Sequence, residues 1–246
     1  MSALLLEASA VSKRFGGFAA LSQVSLTVAP SERLGIIGPN GSGKTTLINC
    51  IAGALRSDSG AIRFRGADIT RLPAHRRTRL GLARSFQIPR PFASMTLVQN
   101  VAVPLEYVAH RGTLHAADVR GEALAILQRM GLSTLADEQA ATLTQVELRK
   151  LELARALAAR PQLLILDEVM AGLSATEVDE MLEIVLALNS QGIAIVMIEH
   201  IMRAIMRFSQ RVVCLDAGRI VAEGTPSAIL SDSMVQRIYL GAAAVG

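Results

Sequence analysis

GPNGSGKTT, residues 38–46, is the stretch from which the architecture of this chain follows. It fits the spacing G-x-x-x-x-G-K-[ST], in which glycines let successive backbone N–H groups curl around a phosphate chain. Lys44 is expected to reach the β- and γ-phosphates, and the Thr45 hydroxyl to bind Mg²⁺. The candidate phosphate-binding residues are Gly38, Pro39, Asn40, Gly41, Ser42, Gly43, Lys44, Thr45 and Thr46.

The residues around this loop provide the structural context that it needs. An apolar strand, Leu34–Ile37, is predicted before it, and a helix over Thr45–Ala52 is predicted after it. The positive N-terminal end of that helix would face the phosphates. The alternative is a surface loop that matches the spacing by chance. The loop alone does not say which class of nucleotide hydrolase it serves.

Composition indicates a globular chain with a core of its own. It has 246 residues and is 51% hydrophobic, yet no run approaches the roughly eighteen apolar residues of a membrane span. The apolar N-terminus lacks a basic region, so a signal peptide is not expected. Cys50 and Cys214 are predicted to be reduced core thiols of a cytosolic protein. The net charge of +4 is weak evidence for an anionic partner.

The order of predicted elements indicates an α/β fold. Residues 4–35 read as β-rich, and Leu21–Val28 alternates like a half-buried antiparallel strand. Buried strands separated by helices predict a sheet that binds ligands at its carboxyl edge. The other predicted strands are Ala61–Phe64, Leu82–Phe86, Gln162–Leu166, Ile193–Ile198 and Arg211–Leu215, and the other predicted helices are Asp118–Met130, Glu147–Arg160 and Ala175–Leu188.

Two of these strands end in residues suited to hydrolysis. Asp167 would lie in the Mg²⁺ shell through water, and Glu168 would act as general base on the attacking water. His200 could hydrogen-bond the γ-phosphate and the same water, although a lone histidine at a strand end is more often structural. Gln87 could offer an oxygen to Mg²⁺ and an N–H to water, and it could link the site to motion of the next segment. For Asp167 and Glu168 the alternative is a pair of acids at a solvated turn.

An aromatic residue and a basic run complete the candidate residues. Phe15 could stack on an adenine ring, or it could be a packed core residue. The segment Arg71–Arg90 holds six arginines and no acid. A solvated helix face and a binding patch both explain this charge bias, and the lack of interleaved aromatic residues argues against single-stranded nucleic acid.

In this order, these residues resemble the ATP-binding subunit of ABC transporters over essentially the whole chain. The family elements that this chain shares are the aromatic Phe15, the phosphate loop at residues 38–45, Gln87 of the Q-loop, a signature at Leu143–Glu147, Asp167 and Glu168, a D-loop at Ala171–Ser174 and the switch His200. It implies an ATPase with the P-loop NTPase fold, a RecA-like core with an antiparallel β subdomain and an inserted α-helical subdomain. The core would comprise residues 1–87 and 158–246, and the helical subdomain residues 88–157.

Within the family, the runs around Gly66–Thr70, Arg79–Gln87 and Ala222–Pro226 look most like importers of branched-chain amino acids; lipopolysaccharide-export ATPases are similar too. The implied ligands are ATP and Mg²⁺. The implied partners are a second ATPase subunit, transmembrane permease subunits and, indirectly, a substrate-binding protein, with no nucleic acid. The subunit would be cytoplasmic and peripheral on the inner face of the cell membrane.

The signature departs from the family pattern. The family generally reads Leu-Ser-Gly-Gly-Gln, whereas this chain reads Leu143-Thr144-Gln145-Val146-Glu147. Thr144 keeps a hydroxyl for the partner's nucleotide, and T-x-x-E predicts a capping box that starts a helix. Val146 places a β-branched side chain where a backbone must approach phosphate closely. A heterodimer with unequal sites is therefore favoured over a homodimer.

Two further functions stay open at this stage. One is a soluble ABC ATPase of DNA repair or translation, although such proteins usually add coiled-coil insertions or a second ATPase domain. The other is a switch that dimerises with ATP and hydrolyses it poorly because of the signature. Ser174, where an acidic or amide residue is common in the family, puts signalling across the dimer in question.

Overall fold

The computed structural model describes residues 4–85, 89–109 and 116–243, which form two β-sheets with flanking helices. In chain order the strands and α-helices are β1 (Leu6–Phe15), β2 (Phe18–Val28), β3 (Arg33–Ile37), α1 (Lys44–Ala52), β4 (Ser59–Phe64), β5 (Ala67–Asp68), α2 (Ala74–Arg79), β6 (Leu82–Arg84), α3 (Leu97–Pro104), α4 (Ala116–Arg129), α5 (Gln145–Ala158), β7 (Leu163–Asp167), α6 (Ala175–Ser190), β8 (Ala194–Ile198), α7 (Met202–Phe208), β9 (Arg211–Asp216), β10 (Arg219–Gly224), α8 (Pro226–Ser231) and α9 (Ser233–Ala243). Every predicted strand and helix is present, with ends that differ by a few residues.

The larger sheet has the strand order β10-β9-β3-β8-β7-β6. Strands β9, β3, β8, β7 and β6 pair in parallel, and β10 is an antiparallel edge strand. All residues of β7 and β8 are buried, which explains why β8 and the first four residues of β7 are unbroken apolar runs rather than alternating ones. The predicted α/β sheet is confirmed.

The register of this sheet brings three loops to one edge. Ile36 lies opposite Ile198, and Asp167 lies opposite the same Ile198 on the other side of β8. The carboxyl ends of β3, β7 and β8 are therefore level. The glycine-rich loop, Glu168 and His200 follow these three ends, so the topology alone places them side by side.

The smaller sheet has the order β2-β1-β4-β5 and is antiparallel. Strand β2 alternates buried and more exposed residues, as predicted for Leu21–Val28. Its buried face shares one apolar cluster with α1, in which Leu26 and Val28 accompany Leu47 and Ile48. This packing fixes the β1–β2 hairpin against the helix that leaves the glycine-rich loop.

In the described part of the chain, the α-helices α3, α4 and α5 lie between β6 and β7, in the segment predicted to be helical. Leu97 and Val101 of α3, Leu127 of α4 and Leu151 of α5 belong to a single buried cluster. That cluster continues into the sheet through Leu164, so the division at residues 88 and 157 stays a prediction. Among the helices of the described ranges, none is long and apolar enough to cross a membrane.

The arginine run is not a uniform surface. Arg77 of α2 is 2% exposed and donates to the carbonyls of Cys50 (2.8 Å) and Ile51 (2.7 Å) near the end of α1. It also donates to the carbonyls of Leu72 and Thr70. For Arg77 both interpretations of the run, a solvated face and a binding patch, are wrong, because its guanidinium satisfies buried backbone acceptors at a helix end.

Cys50 and Cys214 are free and buried, as predicted. Burial raises the pKa of each thiol to about 11. Both are therefore protonated at neutral pH and pack as small apolar side chains.

Candidate functional site

Two glycines allow the loop after β3 to fold tightly. Gly38 has φ 150°, and a Cβ there would lie 2.1 Å from the carbonyl oxygen of Leu215. Gly43 has φ 104°, and its Cβ would lie 2.6 Å from the carbonyl oxygen of Ala20. No side chain fits at either position, so glycine lets the loop backbone lie close to β9 and to β2.

The lysine of the loop lies folded over it. Lys44 is 6% exposed, and its Nζ donates to the carbonyls of Gly38 (2.7 Å) and Pro39 (2.9 Å). Burial lowers the pKa of Lys44, and the carboxylates of Glu168 and Asp167 oppose that shift. A desolvated ammonium that donates to two neutral carbonyls is well placed to donate to phosphate oxygens.

Ser42 gives a second sign that the loop binds a polar ligand. Its side chain is buried, and its Oγ has no hydrogen-bond partner within the described part of the chain. Buried hydroxyls are almost always hydrogen-bonded in folded proteins. A phosphate oxygen in the loop is a fitting acceptor for this hydroxyl.

Asp167, at the end of β7, lies in an ion pair that the sequence did not predict. Its Oδ2 accepts from Nη2 of Arg84 at 2.6 Å, and Nη1 of the same guanidinium donates to Oδ1 of Asn49 at 2.5 Å. In the sequence, Arg84 is one of the six arginines of the basic run, and nothing marks Asn49 as its neighbour. The pairing of β6 with β7 is what brings Arg84 next to Asp167. The predicted metal ligand Gln87 lies outside the described residues.

Glu168 and His200, which the sequence predicts to act on the same water, are in direct contact. His200 Nε2 lies 2.7 Å from Glu168 Oε1. Glu168 adopts a left-handed backbone conformation with φ 50°, which is rare for a residue with a side chain, and its N–H donates to the carbonyl of Ile198. Glu168 lines a depression together with residues 40–46 of the glycine-rich loop.

Glu199 is a buried carboxyl beside this pair that the sequence did not single out. It is 1% exposed, and its Oε1 accepts from the backbone N–H of Met170 at 2.9 Å. Burial raises its pKa to about 7, and Glu168 adds to the shift, whereas Arg149 of α5 opposes it. An acid directly after an all-apolar strand was the available signal. Glu199 ties the segment that follows Glu168 to the loop that carries His200.

Phe15 is not a core residue, so that alternative is wrong. It is 52% exposed at the end of β1, and Lys13 Nζ lies 5.7 Å from its ring centre. Phe15 lines a depression of about 260 Å³ together with loop residues from Asn40 to Thr46 and with Glu168. The structure thus brings the candidate stacking residue, the phosphate loop and the candidate base around one space.

The remaining candidates are helix caps. Thr144 begins α5 with the predicted capping box: its hydroxyl accepts from the N–H of Glu147, whose carboxylate accepts from the N–H of Thr144. Ser174 begins α6 in the same way with Glu177, which gives the unusual D-loop residue a local structural role. Thr144 does not line the depression within this chain.

The chain matches known proteins over nearly its whole length. The family described as ABC transporter covers residues 21–171. The high-affinity branched-chain amino acid transport ATP-binding protein LivG of Escherichia coli strain K12 is 37% identical over 255 residues, with 99% of this chain and 100% of that protein covered. The lipopolysaccharide export system ATP-binding protein LptB of Haemophilus influenzae is 34% identical, covering 96% of this chain and 97% of that protein.

Solved structures agree with this assignment. A nucleotide-free ATP-binding cassette from an ABC transporter has a TM-score of 0.86 and 32% identity, covering 96% of this chain and 98% of that one. A second cassette, in its ADP conformation, has a TM-score of 0.85 and 30% identity, covering 97% of this chain and 99% of that one. The fold, the phosphate loop and the paired strand ends thus identify the chain as a nucleotide-binding ATPase subunit that belongs to the ABC transporter family.

Proposed function

We propose that this subunit uses ATP binding and hydrolysis to drive import of branched-chain or other amino acids through membrane permease subunits. The observation that carries the proposal is the Glu168–His200 contact of 2.7 Å beside a phosphate loop whose lysine is buried. The similarity to LivG supports the amino-acid cargo, and the similarity to LptB leaves other cargoes as the alternative. Uptake of radiolabelled leucine by cells that express the complete transporter, against a Lys44→Ala control, tests the cargo.

ATP would lie with its phosphates in the loop 38–46 and its base towards Phe15. Lys44 exchanges its two carbonyl contacts for phosphate oxygens, and Ser42 donates its hydroxyl. The donor set also suits Mg²⁺, since the Thr45 hydroxyl and the Asp167 carboxylate are hard oxygen ligands. Because one oxygen of Asp167 already pairs with Arg84, we assign Asp167 a contact through water. Mg²⁺ would neutralise charge on the β- and γ-phosphates.

Hydrolysis would use Glu168 as general base. Its carboxylate accepts a proton from water as the water oxygen bonds to the γ-phosphorus, and the bond from that phosphorus to the bridging oxygen breaks to leave ADP. The His200 contact holds the carboxylate in place and puts a second polar group near the γ-phosphate. The soluble repair or translation ATPase and the weakly hydrolysing switch are less well supported, because Glu168 and His200 are in contact in a chain that is similar to a transport subunit over 99% of its length.

The subunit would work in a dimer, with Thr144 and the start of α5 closing on the nucleotide of the partner. The half-buried Val146 lies in the first turn of α5, where a signature glycine is usual in the family. Its β-branched side chain hinders close approach of that helix end to phosphate. We therefore favour a heterodimer in which this chain borrows an intact signature for its own ATP, with a homodimer as the alternative.

A size measurement tests the heterodimer. The Glu168→Gln chain alone is expected to stay monomeric with saturating MgATP, because each of its two sites would contain the hindered signature. Adding Val146→Gly to it is expected to shift the chain to a dimer at the same concentration, as measured by light scattering after gel filtration. A stable ATP-dependent dimer of the Glu168→Gln chain with Val146 unchanged would contradict the proposal.

Permease contact is assigned to a groove between the sheet and the helical block. This groove has a volume of about 310 Å³ and is bounded by α2, β6, α3 and α5. Tyr107 and Phe92 on its rim are 67% and 43% exposed, and the Arg155 guanidinium lies 5.0 Å from the Phe92 ring centre. Exposed aromatic residues around an apolar groove favour binding of an amphipathic helix. The subunit would thus be cytoplasmic and peripheral on the inner membrane face.

A matched pair of charge insertions tests this groove. Tyr107→Glu is expected to lower the amount of co-expressed permease that copurifies with the subunit by about tenfold or more, since a charge in an apolar contact costs over about 1.4 kcal/mol. Leu230→Glu, at another exposed apolar position that is 40% exposed in α8, serves as the control. Equal recovery with both variants, or stimulation of the ATPase rate by nucleic acid in place of permease, would contradict the membrane role.

A further inference from the structure

The β1–β2 hairpin presents a second aromatic residue next to Phe15. Phe18 begins β2, directly opposite Phe15 in the antiparallel register, with Gly16 and Gly17 forming the turn between them. Side chains of directly opposite residues in an antiparallel pair project from the same face of the sheet. The two phenyl groups therefore belong to one face at the tip of the hairpin.

The hairpin tip lies against the phosphate loop. Ala20, two residues after Phe18, is 5% exposed, and its backbone carbonyl approaches Gly43 so closely that no Cβ fits there. Phe18, by contrast, is 64% exposed. Phe18, Phe15 and Ala20 line the same depression as residues 40–46. The hairpin thus anchors at Ala20 and extends two apolar rings beyond the loop.

The tip is braced before any ligand arrives. Lys13 Nζ pairs with Asp58 at 2.7 Å, and the backbone N–H of Arg14 donates to the other carboxylate oxygen of Asp58 at 2.7 Å. The Arg14 guanidinium donates to the carbonyl of Gly17 at 2.9 Å, across the turn. Because the turn is held from both sides, Phe18 contacts a ligand without ordering the hairpin first.

We propose that Phe18 contacts the nucleobase together with Phe15, so that two aromatic side chains hold the base at the end of the phosphate loop. This rests on the proposed placement of ATP. Exposed phenyl groups gain most by covering an apolar, planar surface, and a base is the only such part of a nucleotide. Among the described residues, the polar side chains that line the depression belong to the loop 40–46 and to Glu168, whereas the hairpin contributes Phe15, Phe18 and Ala20. The contact made by the hairpin is therefore by stacking and edge packing and does not read base identity.

A comparison of ligands with and without a base tests the proposal. Equilibrium binding of MgATP and of inorganic tripolyphosphate with Mg²⁺ is measured by calorimetry for wild type, Phe18→Ala, Phe18→Tyr and Lys44→Ala. Phe18→Ala is expected to weaken MgATP binding by roughly 5- to 100-fold and to leave tripolyphosphate binding unchanged. Phe18→Tyr, which keeps a ring, is expected to retain the wild-type affinity. GTP is expected to lose affinity with Phe18→Ala as ATP does.

The outcomes separate this inference from the function on which it rests. Unchanged ATP affinity in Phe18→Ala, or equal losses for ATP and tripolyphosphate, would overturn the role of Phe18. Loss of affinity in Phe18→Tyr as large as in Phe18→Ala would overturn it as well. Tripolyphosphate binding that does not respond to Lys44→Ala would instead show that the phosphate site itself is misplaced.

Discussion

Replacing Glu168 with glutamine is expected to slow ATP hydrolysis by roughly 100- to 10,000-fold while leaving ATP binding intact. The amide keeps the size of the side chain and can still hydrogen-bond His200, but it has no basic oxygen to accept a proton from water. The measurement is single-turnover hydrolysis of γ-labelled ATP with the partner subunit present, alongside equilibrium binding of MgATP.

The control is Glu138→Gln, which removes one carboxylate from an exposed position outside the depression and is expected to hydrolyse at the wild-type rate. Equal single-turnover rates for wild type and Glu168→Gln would contradict the assignment of the general base. Such a result would favour the alternative function, in which this chain is a switch that dimerises with ATP and hydrolyses it poorly.

Replacing Arg77 with methionine is expected to lower the free energy of unfolding by about 3–5 kcal/mol. Methionine fills a similar volume but has no donors, so four backbone carbonyls that now accept from the guanidinium lose that partner. Burial lowers the pKa of Arg77, as expected for a desolvated cation. The loss is a large part of the roughly 5–15 kcal/mol that stabilises a typical domain.

Urea unfolding followed by circular dichroism measures this effect, since the chain has no tryptophan to report by fluorescence. Arg76→Met is the matched control: Arg76 is exposed on the same helix, and its loss is expected to change the free energy by no more than about 0.5 kcal/mol. Equal urea midpoints for the two variants would contradict the prediction. They would show that the buried guanidinium of Arg77 adds no more to the free energy of unfolding than the exposed one of Arg76.

Much of the fold followed from the sequence because local and global signals agree. β8 and the first four residues of β7 are unbroken apolar runs, and a strand buried on both faces needs such a run. The capping box at Thr144 is a local pattern, so it could be located without knowledge of the rest of the chain. The side-by-side arrangement of Glu168 and His200 followed from the rule that parallel strands deliver their ends to one edge.

What the sequence did not reveal depends on contacts between distant segments. Arg77 and Arg84 look alike in a basic run, yet one caps α1 and the other pairs with Asp167, 83 residues away. Nothing in the sequence distinguishes Phe18 from a packed core residue, because its exposure depends on how the hairpin lies on the loop. Charge or aromatic character alone does not distinguish such roles, because each role depends on which residues of a distant segment the side chain contacts.

The ion pair between Arg84 and Asp167 has one more consequence. A carboxylate almost withdrawn from water would be costly if its only counter-charge were a diffusible ion. Arg84 supplies a covalently attached cation, so the charge of Asp167 is balanced in the chain without any ligand. Folding of the chain is therefore expected not to depend on magnesium.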